Sequence, residues 1–473
     1  MKFEGFVGSS YKLRATVASA QRTVNLYPEK IEAVGENEEY YLVGTDGYEL
    51  FNDTAIQAYP RGSYNANGRW FIATYSRLYE VFSDATFVIR GNISLGTNTV
   101  GMADNGFQLC VACGDHGYIL DLATNTFTEI TADGWRGSVC VTFLNGRFYF
   151  VDTNTGIYFW SALYDGLDID ALNFATDETS PDNLLLMFEC YQDIYAFGTN
   201  SVTVYYPNDD ANQPISITQG STMEVGLAAI NSVAKAGNTI FFVSDDVRGG
   251  AVVYAITGYQ LQKISNSAVE QSMQSFNSVS DATAYSYQKD GHTFYVVNFS
   301  SGNTTWAYDL STGLWCERAY LNEDGQLERE KSNYHTYIFG NHYLIDAEEG
   351  NIYRMDSDIY THNGRVIKRK RVCPHVKNEQ KRIRYYSIQI DMEVGVGNSD
   401  DPDPLATIRF SKDGGMTYGP EHELNIGAVG QYRKRVKFNR IGQARDLVVD
   451  YEVTGKTKCN LLAAYIEADG SGT

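Results

Sequence analysis

Short runs of alternating or aromatic-rich apolar residues, each broken by Gly, Asn or Asp, recur along almost the whole chain: Tyr40–Val43, Arg69–Ala73, Phe107–Val111, Arg147–Val151, Asp193–Phe197, Thr239–Val243, Thr293–Val297 and His342–Ile345. A period of two in Val, Ile and aromatic residues is the mark of a half-buried strand, and these read as inner strands of sheets. Most are followed within a few residues by a second run, such as Gly117–Asp121 or Thr305–Asp309, which predicts hairpins. Taking Gly68, Gly106, Gly146, Tyr191, Gly237, Gly291 and Gly340 as equivalent points, the steps are 38, 40, 45, 46, 54 and 49 residues. That is close to the roughly 40–50 residues of a four-stranded propeller blade. One blade cannot bury both of its faces, so blades stack around an axis.

The fold predicted is therefore all-β, an N-terminal six- or seven-bladed β-propeller followed by a C-terminal β-sandwich-like domain. Its parts are an arm over 1–35, the propeller over 36–358, a basic linker over 359–384 and a β domain over 385–473. A pair of sandwiches is the rival, and it leaves the even spacing unexplained. Helix is confined to Ser267–Met273, where Ser267 and Glu270 have capping-box spacing, and to a possible second segment at Asn183–Phe188.

Composition agrees with β structure, since 35 Tyr, 23 Phe and 5 Trp sit among β-branched residues. With 473 residues the chain has room for two domains. The start has no apolar stretch after Lys2 and no later run could span a bilayer, so neither a signal peptide nor a membrane segment is expected. Seven scattered cysteines predict reduced thiols. Cys110 and Cys113 have CxxC spacing inside an apolar run, which fits buried structural thiols better than redox or metal chemistry. The seven histidines never fall at ligand spacing and no nucleophile or phosphate-binding motif occurs, so neither catalytic residues nor a cofactor are expected.

Charge then divides the chain. Residues 364–473 hold 19 Lys+Arg and 14 Asp+Glu, a net of +5, which leaves a net of −25 for residues 1–363. An acidic body of that size is no nucleic-acid clamp, because duplex affinity comes from neutralising phosphates. The basic run Arg365, Lys368, Arg369, Lys370, Arg371, Lys381, Arg382 and Arg384 is the candidate interaction element. It reads either as a solvated linker or protected edge strand, or as a docking element for an acidic protein surface, with DNA phosphates as the lesser option. Ser411-Lys412-Asp413-Gly414-Gly415-Met416-Thr417-Tyr418 matches the Asp box of sialidases and other propellers. There Ser411 and Asp413 would bind turn backbone, Gly415 would permit positive φ and Tyr418 would anchor the hairpin, a structural part and not a catalytic one.

Several stretches, in order, carry a resemblance: Ala20–Glu29, Pro60–Gly62, Ala103–Gly106, Asp115–Tyr118, Ser161–Gly166, Asn173–Thr176, Gly258–Tyr259, Ala268–Glu270, Asp290–His292, Thr305–Asp309 and Trp315–Arg318, then Ser411 to Gly427, Gly430, Arg433, Arg435 and Arg440–Arg445. Together they resemble the packaged-DNA stabilisation proteins of short-tailed phages, the tail accessory factor or tail hub/nozzle family. Leu26 stands where such proteins often have Trp. The resemblance implies a hexameric, non-enzymatic virion tail component, made in the host cytoplasm. It would bind the head-to-tail adaptor above and spike, fibre or needle proteins beyond, with DNA passing the lumen without specific binding. The alternative class is a propeller glycan-binding protein or sialidase-like glycosidase, which would need Asp boxes repeated across blades.

Overall fold

The computed structural model describes residues 1–32, 39–52, 59–152, 155–177, 182–210, 212–246, 250–379 and 381–470. The expected boundary between residues 35 and 36 lies outside them. Seven four-stranded antiparallel blades follow one another, beginning with Gly62–Ala66, Arg69–Ala73, Arg77–Val81 and Phe87–Asn92. The seventh pairs Ser332–Ile338, Asn341–Asp346 and Ile352–Asp356 with Gly47–Asn52, a strand from the other end of the propeller sequence. The count is seven because an early strand completes the last blade, which joins the two ends of the ring by hydrogen bonds.

The equivalent points of the repeat are the turns between the first and second strand of each blade. Asn67–Gly68, Asn145–Gly146 and Asp290–Gly291 all have φ between 48° and 83° at both residues. Two consecutive positive φ angles make the type I′ turn that suits the twist of a tight hairpin. In the fourth blade Tyr191 and Gln192 take the same path at φ 54° and 69° without a glycine. Apart from Tyr40–Val43, the runs named from the sequence are the second strands of their blades, one step out from the axis. The innermost strand is the one before each turn, such as Gly101–Asp104 or Val141–Leu144. Asn183–Phe188, expected as a helix, falls on the innermost strand Leu184–Cys190, because it pairs with Asp193–Gly198 and buries Leu184, Leu186 and Met187. The one helix of any length described is Ser267–Gln274, capped by Asn266 rather than Ser267: its side chain accepts from Ala268 N and Val269 N at 3.0 Å.

The sandwich contains the chain's beginning as well as its end. One sheet orders Ala20–Val24, Arg365–Val372, Asp446–Gly455, Leu405–Ser411 and His422–Asn425; the other orders Leu26–Lys30, Tyr40–Gly44, Asn460–Gly470, Ile383–Met392 and Val436–Ala444. Leu26, Leu42, Ile388, Ile408, Val449 and Ile466 fill the space between them. Tyr40–Val43, read as a blade strand, belongs here, and the expected N-terminal arm is two sandwich strands. The sandwich is also sewn to the propeller. Ala20–Val24 runs parallel to Leu314–Arg318, the outer strand of the sixth blade, and Thr361–His362 lies between Gly47–Asn52 and Arg365–Val372.

Gly47, at the start of the closing strand, has no room for a side chain: a Cβ would stand 2.5 Å from the carbonyl oxygens of both Ile359 and Thr361. Backbone cannot give way as a side chain can, so Gly47→Ala is expected to cost about 1–3 kcal/mol. An unchanged denaturant midpoint would show that the closing strand does not hold the ring.

Candidate interaction surface

The basic run is a strand, and the pleat divides it. Successive side chains point to opposite faces. Lys368 and Lys370 face outward, where Lys370 Nζ donates to Glu452 at 2.6 Å and Asp450 at 2.9 Å and Lys368 Nζ lies 3.0 Å from Glu452. Arg409 on the next strand donates to the same two carboxylates at 2.6 and 2.9 Å. These pairs follow from register, since Lys370 is opposite Glu452 and Arg409 is opposite Asp450. Arg369 and Arg371 point inward and are buried.

The two buried arginines are unlike. Arg371 spends five hydrogen bonds on the chain's beginning: Nε to Phe6 O, Nη1 to Ser9 O and Thr23 Oγ1, Nη2 to Gly5 O and Gln21 Oε1, at 2.6–3.0 Å. Arg369 is not tied in this way: its Nε and Nη1 find no hydrogen-bond partner among the described residues. Burial pulls both guanidinium pKa values down.

Four residues of the predicted docking element, Lys368, Arg369, Lys370 and Arg371, are thus committed to holding the sandwich together. The interaction reading is corrected for Arg369 and Arg371, which are buried, while Lys368 and Lys370 are half-buried and already paired with cross-strand carboxylates. Arg365 pairs with Glu323, Lys381 with Glu379 at 2.9 Å, and Arg384 lies over the Tyr386 ring; these and Arg382 are at the surface or partly so.

The Asp-box turn is built as a carboxylate-centred knot. Asp413 Oδ1 accepts from Ser411 Oγ at 2.7 Å, Met416 N at 3.1 Å and Thr417 N at 3.0 Å, while Oδ2 accepts from Thr417 Oγ1 at 2.6 Å. Those donors, the Thr417 hydroxyl first, hold Asp413 far below the ordinary carboxylate pKa. Gly415, at φ 86°, donates its N–H to Ser411 Oγ at 2.8 Å, and Tyr418 stacks under the Arg409 guanidinium. All of these bonds stay within the turn.

Two spaces lie along the innermost strands, the first lined by all seven blades and the second by the first, fifth, sixth and seventh. One of about 280 Å³ is lined at the blades' entry ends by residues such as Val100, Val141 and Tyr334, and one of about 590 Å³ at the turn end by Tyr64, Lys235, Tyr287 and His335. Lys235 reaches Glu189 at 2.9 Å. Burial, then His342 and Arg318, push His335 down to about 3, so it is neutral at ordinary pH. The innermost strands of the seventh and first blades also meet through side chains: the Ser63 and Thr336 hydroxyls are 2.6 Å apart. Elsewhere, His375 Nδ1 lies 2.8 Å from Asp446 Oδ1 and its Nε2 2.8 Å from the Thr16 carbonyl oxygen, so both ring nitrogens are engaged within the fold. Among the described residues no group of three or more His, Cys, Asp or Glu could hold a metal, no helix is long and apolar enough to cross a membrane, and the seven cysteines are free and buried.

Counting the N-terminal strands with the sandwich sharpens the charge division. Residues 1–44 and 364–473 together hold 24 Lys+Arg against 20 Asp+Glu, and residues 45–363 hold 14 against 38, a net of −24. The sequence pattern brought Asp165, Arg433 and Arg435 forward only within a resemblance and did not mark as interaction elements the acidic loop of the third blade, Asp165, Asp168 and Asp170, or the basic loop Arg433–Lys434–Arg435; each has three like charges within six residues.

Arg371→Met would strand the carbonyls of Gly5, Phe6 and Ser9 and is expected to cost about 3 kcal/mol or more. Arg369→Met removes a buried charge without a partner and should leave the unfolding free energy equal or higher. Equal losses for the two would contradict this geometry. Asp413, with its folded pKa depressed, stabilises the fold above the unfolded value of about 3.9 and loses that contribution as pH falls. The gap between wild-type and Asp413→Asn melting temperatures should therefore narrow from about pH 5 to below about pH 3. A constant gap would show that the knot does not depend on ionisation.

Comparison with known proteins gives a family and a set of distant folds. No curated protein matches the chain. Among solved structures, the N-terminal domain of Nup159 shares 10% identity over 71% of this chain and 98% of its own, with a TM-score of 0.42. The WD40 domain of Neurospora crassa Pan2 shares 10% over 63% and 89%, with a TM-score of 0.43. The designed Ika8 protein shares 13% over 71% and 99%, with a TM-score of 0.40. The model of the family described as Bacteriophage P22 Gp10, beta-propeller, matches residues 14–360, and that of Bacteriophage P22 Gp10, beta-sandwich, matches residues 368–469. With propeller and sandwich both matched in order, the chain belongs to the Bacteriophage P22 Gp10 family of phage structural proteins.

Proposed function

We propose that this chain is a non-catalytic subunit of a short-tailed phage's tail hub or nozzle. Copies form a hexameric ring below the head-to-tail adaptor, retain the packaged DNA and guide its ejection, and spike, fibre or needle proteins attach beyond. The observation that carries this reading is the family match over both bodies of the chain. Two physical features support it. The two spaces lined by the innermost strands measure about 280 and 590 Å³ among the described residues, whereas the major groove of a duplex alone is about 12 Å wide. DNA would therefore pass between copies and not through a propeller, which calls for a ring. A body with a net charge of −24 also repels phosphates, so a wall made of it would let DNA move instead of holding it.

Electron microscopy of tails assembled with this protein tests the reading. Class averages are expected to show a six-fold ring of the chain between adaptor and distal fibres. Tails that lack the chain, or a chain found only as monomers that cleave glycans, would contradict it.

A further inference from the structure

Two loops on opposite sides of the chain carry opposite charge beside exposed apolar side chains. The first joins the third and fourth strands of the third blade. It exposes Leu163, Tyr164 and Leu172, the last at 82%, around Asp165, Asp168 and Asp170. Phe107, in the neighbouring turn of the second blade, is exposed beside it, and Asn105 of that turn donates to Tyr164 O at 3.4 Å. The loop is fixed in place: Ile169 is buried, Ala162 N donates to Asp168 O at 2.8 Å and Tyr164 N to Gly146 O at 2.6 Å. Arg136 packs on Phe174 and reaches Ala171 O at 3.5 Å, and it makes no ion pair with the three aspartates.

The second loop projects from the sandwich between His422–Asn425 and Val436–Ala444. It exposes Val429 at 71% and Tyr432 at 73% beside Arg433, Lys434 and Arg435. It too is preorganised. Gln431 N donates to Ala428 O at 3.0 Å and Lys434 N to Gln431 O at 3.1 Å, and Tyr432 lies against Gly395, where a Cβ would stand 2.9 Å from its ring. None of the six charged side chains has an ion pair among the described residues.

Exposed aromatic and aliphatic side chains grouped in one patch mark interaction sites, and opposite charges beside two such patches favour and register their encounter. Within one chain the loops cannot satisfy each other. The sandwich sits on the seam of the sixth and seventh blades, and the third blade is the one across the ring from that seam. On the ring reading above, we propose that the Val429–Arg435 loop of one copy docks on the Leu163–Leu172 loop of the next, a head-to-tail contact between two different surfaces. Such a contact repeats from copy to copy and closes when its rotation allows. The three cations meet the three aspartates at the rim and Val429 and Tyr432 cover Leu163, Tyr164 and Leu172.

A charge exchange tests it on the full-length chain. One variant carries Arg433→Glu, Lys434→Glu and Arg435→Glu. The other carries Asp165→Asn, Asp168→Lys and Asp170→Asn, which keeps the side-chain oxygens that accept from Leu167 N and Leu172 N. Sedimentation at low salt is expected to show self-association about tenfold or more weaker for either variant alone. The equimolar mixture should associate again, because each variant then meets the opposite charge. Wild-type-like association of either variant alone, no recovery in the mixture, or a wild-type chain that stays monomeric up to its solubility limit would overturn the contact. Six-fold rings in micrographs of wild-type tails alongside an ineffective charge exchange would leave the ring standing and remove only this interface.

Discussion

An antiparallel sheet left with an open edge exposes a row of unpaired N–H and C=O groups, and in this molecule the chain's first fifty residues close those edges. Gly47–Asn52 completes the seventh blade, Ala20–Val24 fills the gap between the sixth blade and the sandwich, and Leu26–Lys30 with Tyr40–Gly44 extends the second sandwich sheet. Every larger feature depends on this. The ring of blades is shut by hydrogen bonds between residues some three hundred positions apart, and the propeller and sandwich share one continuous sheet.

Side chains reinforce the seam. Arg22 pairs with the buried Glu317 of the sixth blade, and Ser10 Oγ donates to the same carboxylate at 2.8 Å. The charge partners and the two hydrogen-bond donors hold Glu317 ionised, overcoming the burial that opposes it. Asn25, at φ 53°, donates to Ala319 O at 2.8 Å and Lys368 O at 2.9 Å, and accepts from Ala319 N at 2.9 Å, so one side chain joins three segments. Tyr27 packs edge-on against His292 and Phe294 of the sixth blade. The stretch Ala20–Glu29 that carries part of the family resemblance is the stretch that makes these contacts, which is a physical reason for its residues. Backbone pairing and side-chain bonds thus join the propeller to the sandwich at several points.

What the sequence made legible was local. Period-two runs and Gly or Asn turns report on a hairpin within a few residues, so the blade spacing could be read and the type I′ turns at Asn67–Gly68 and its equivalents are where the pattern placed them. What it hid was long-range. Residues 365–371 look like a solvated basic linker because Glu452 and Asp450, the partners that neutralise Lys370, lie some eighty residues on. The burial of Arg371 is invisible without the loop of Gly5 to Ser9 that wraps it. Leu184–Phe188 has the composition of a helix, and only its pairing with Asp193–Gly198 makes it a strand. The seventh blade escaped a firm count because its outer strand precedes the first blade.

Native-state hydrogen exchange on the intact chain tests the central claim most directly. If the N-terminal strands close both bodies, the amides of Ala20–Val24 and Gly47–Asn52 that pair with neighbouring strands exchange as slowly as those of Asn341–Asp346 inside the seventh blade, through the same cooperative opening. Fast exchange in those two strands while the blades stay protected would mean that the ring and the sandwich hold without them.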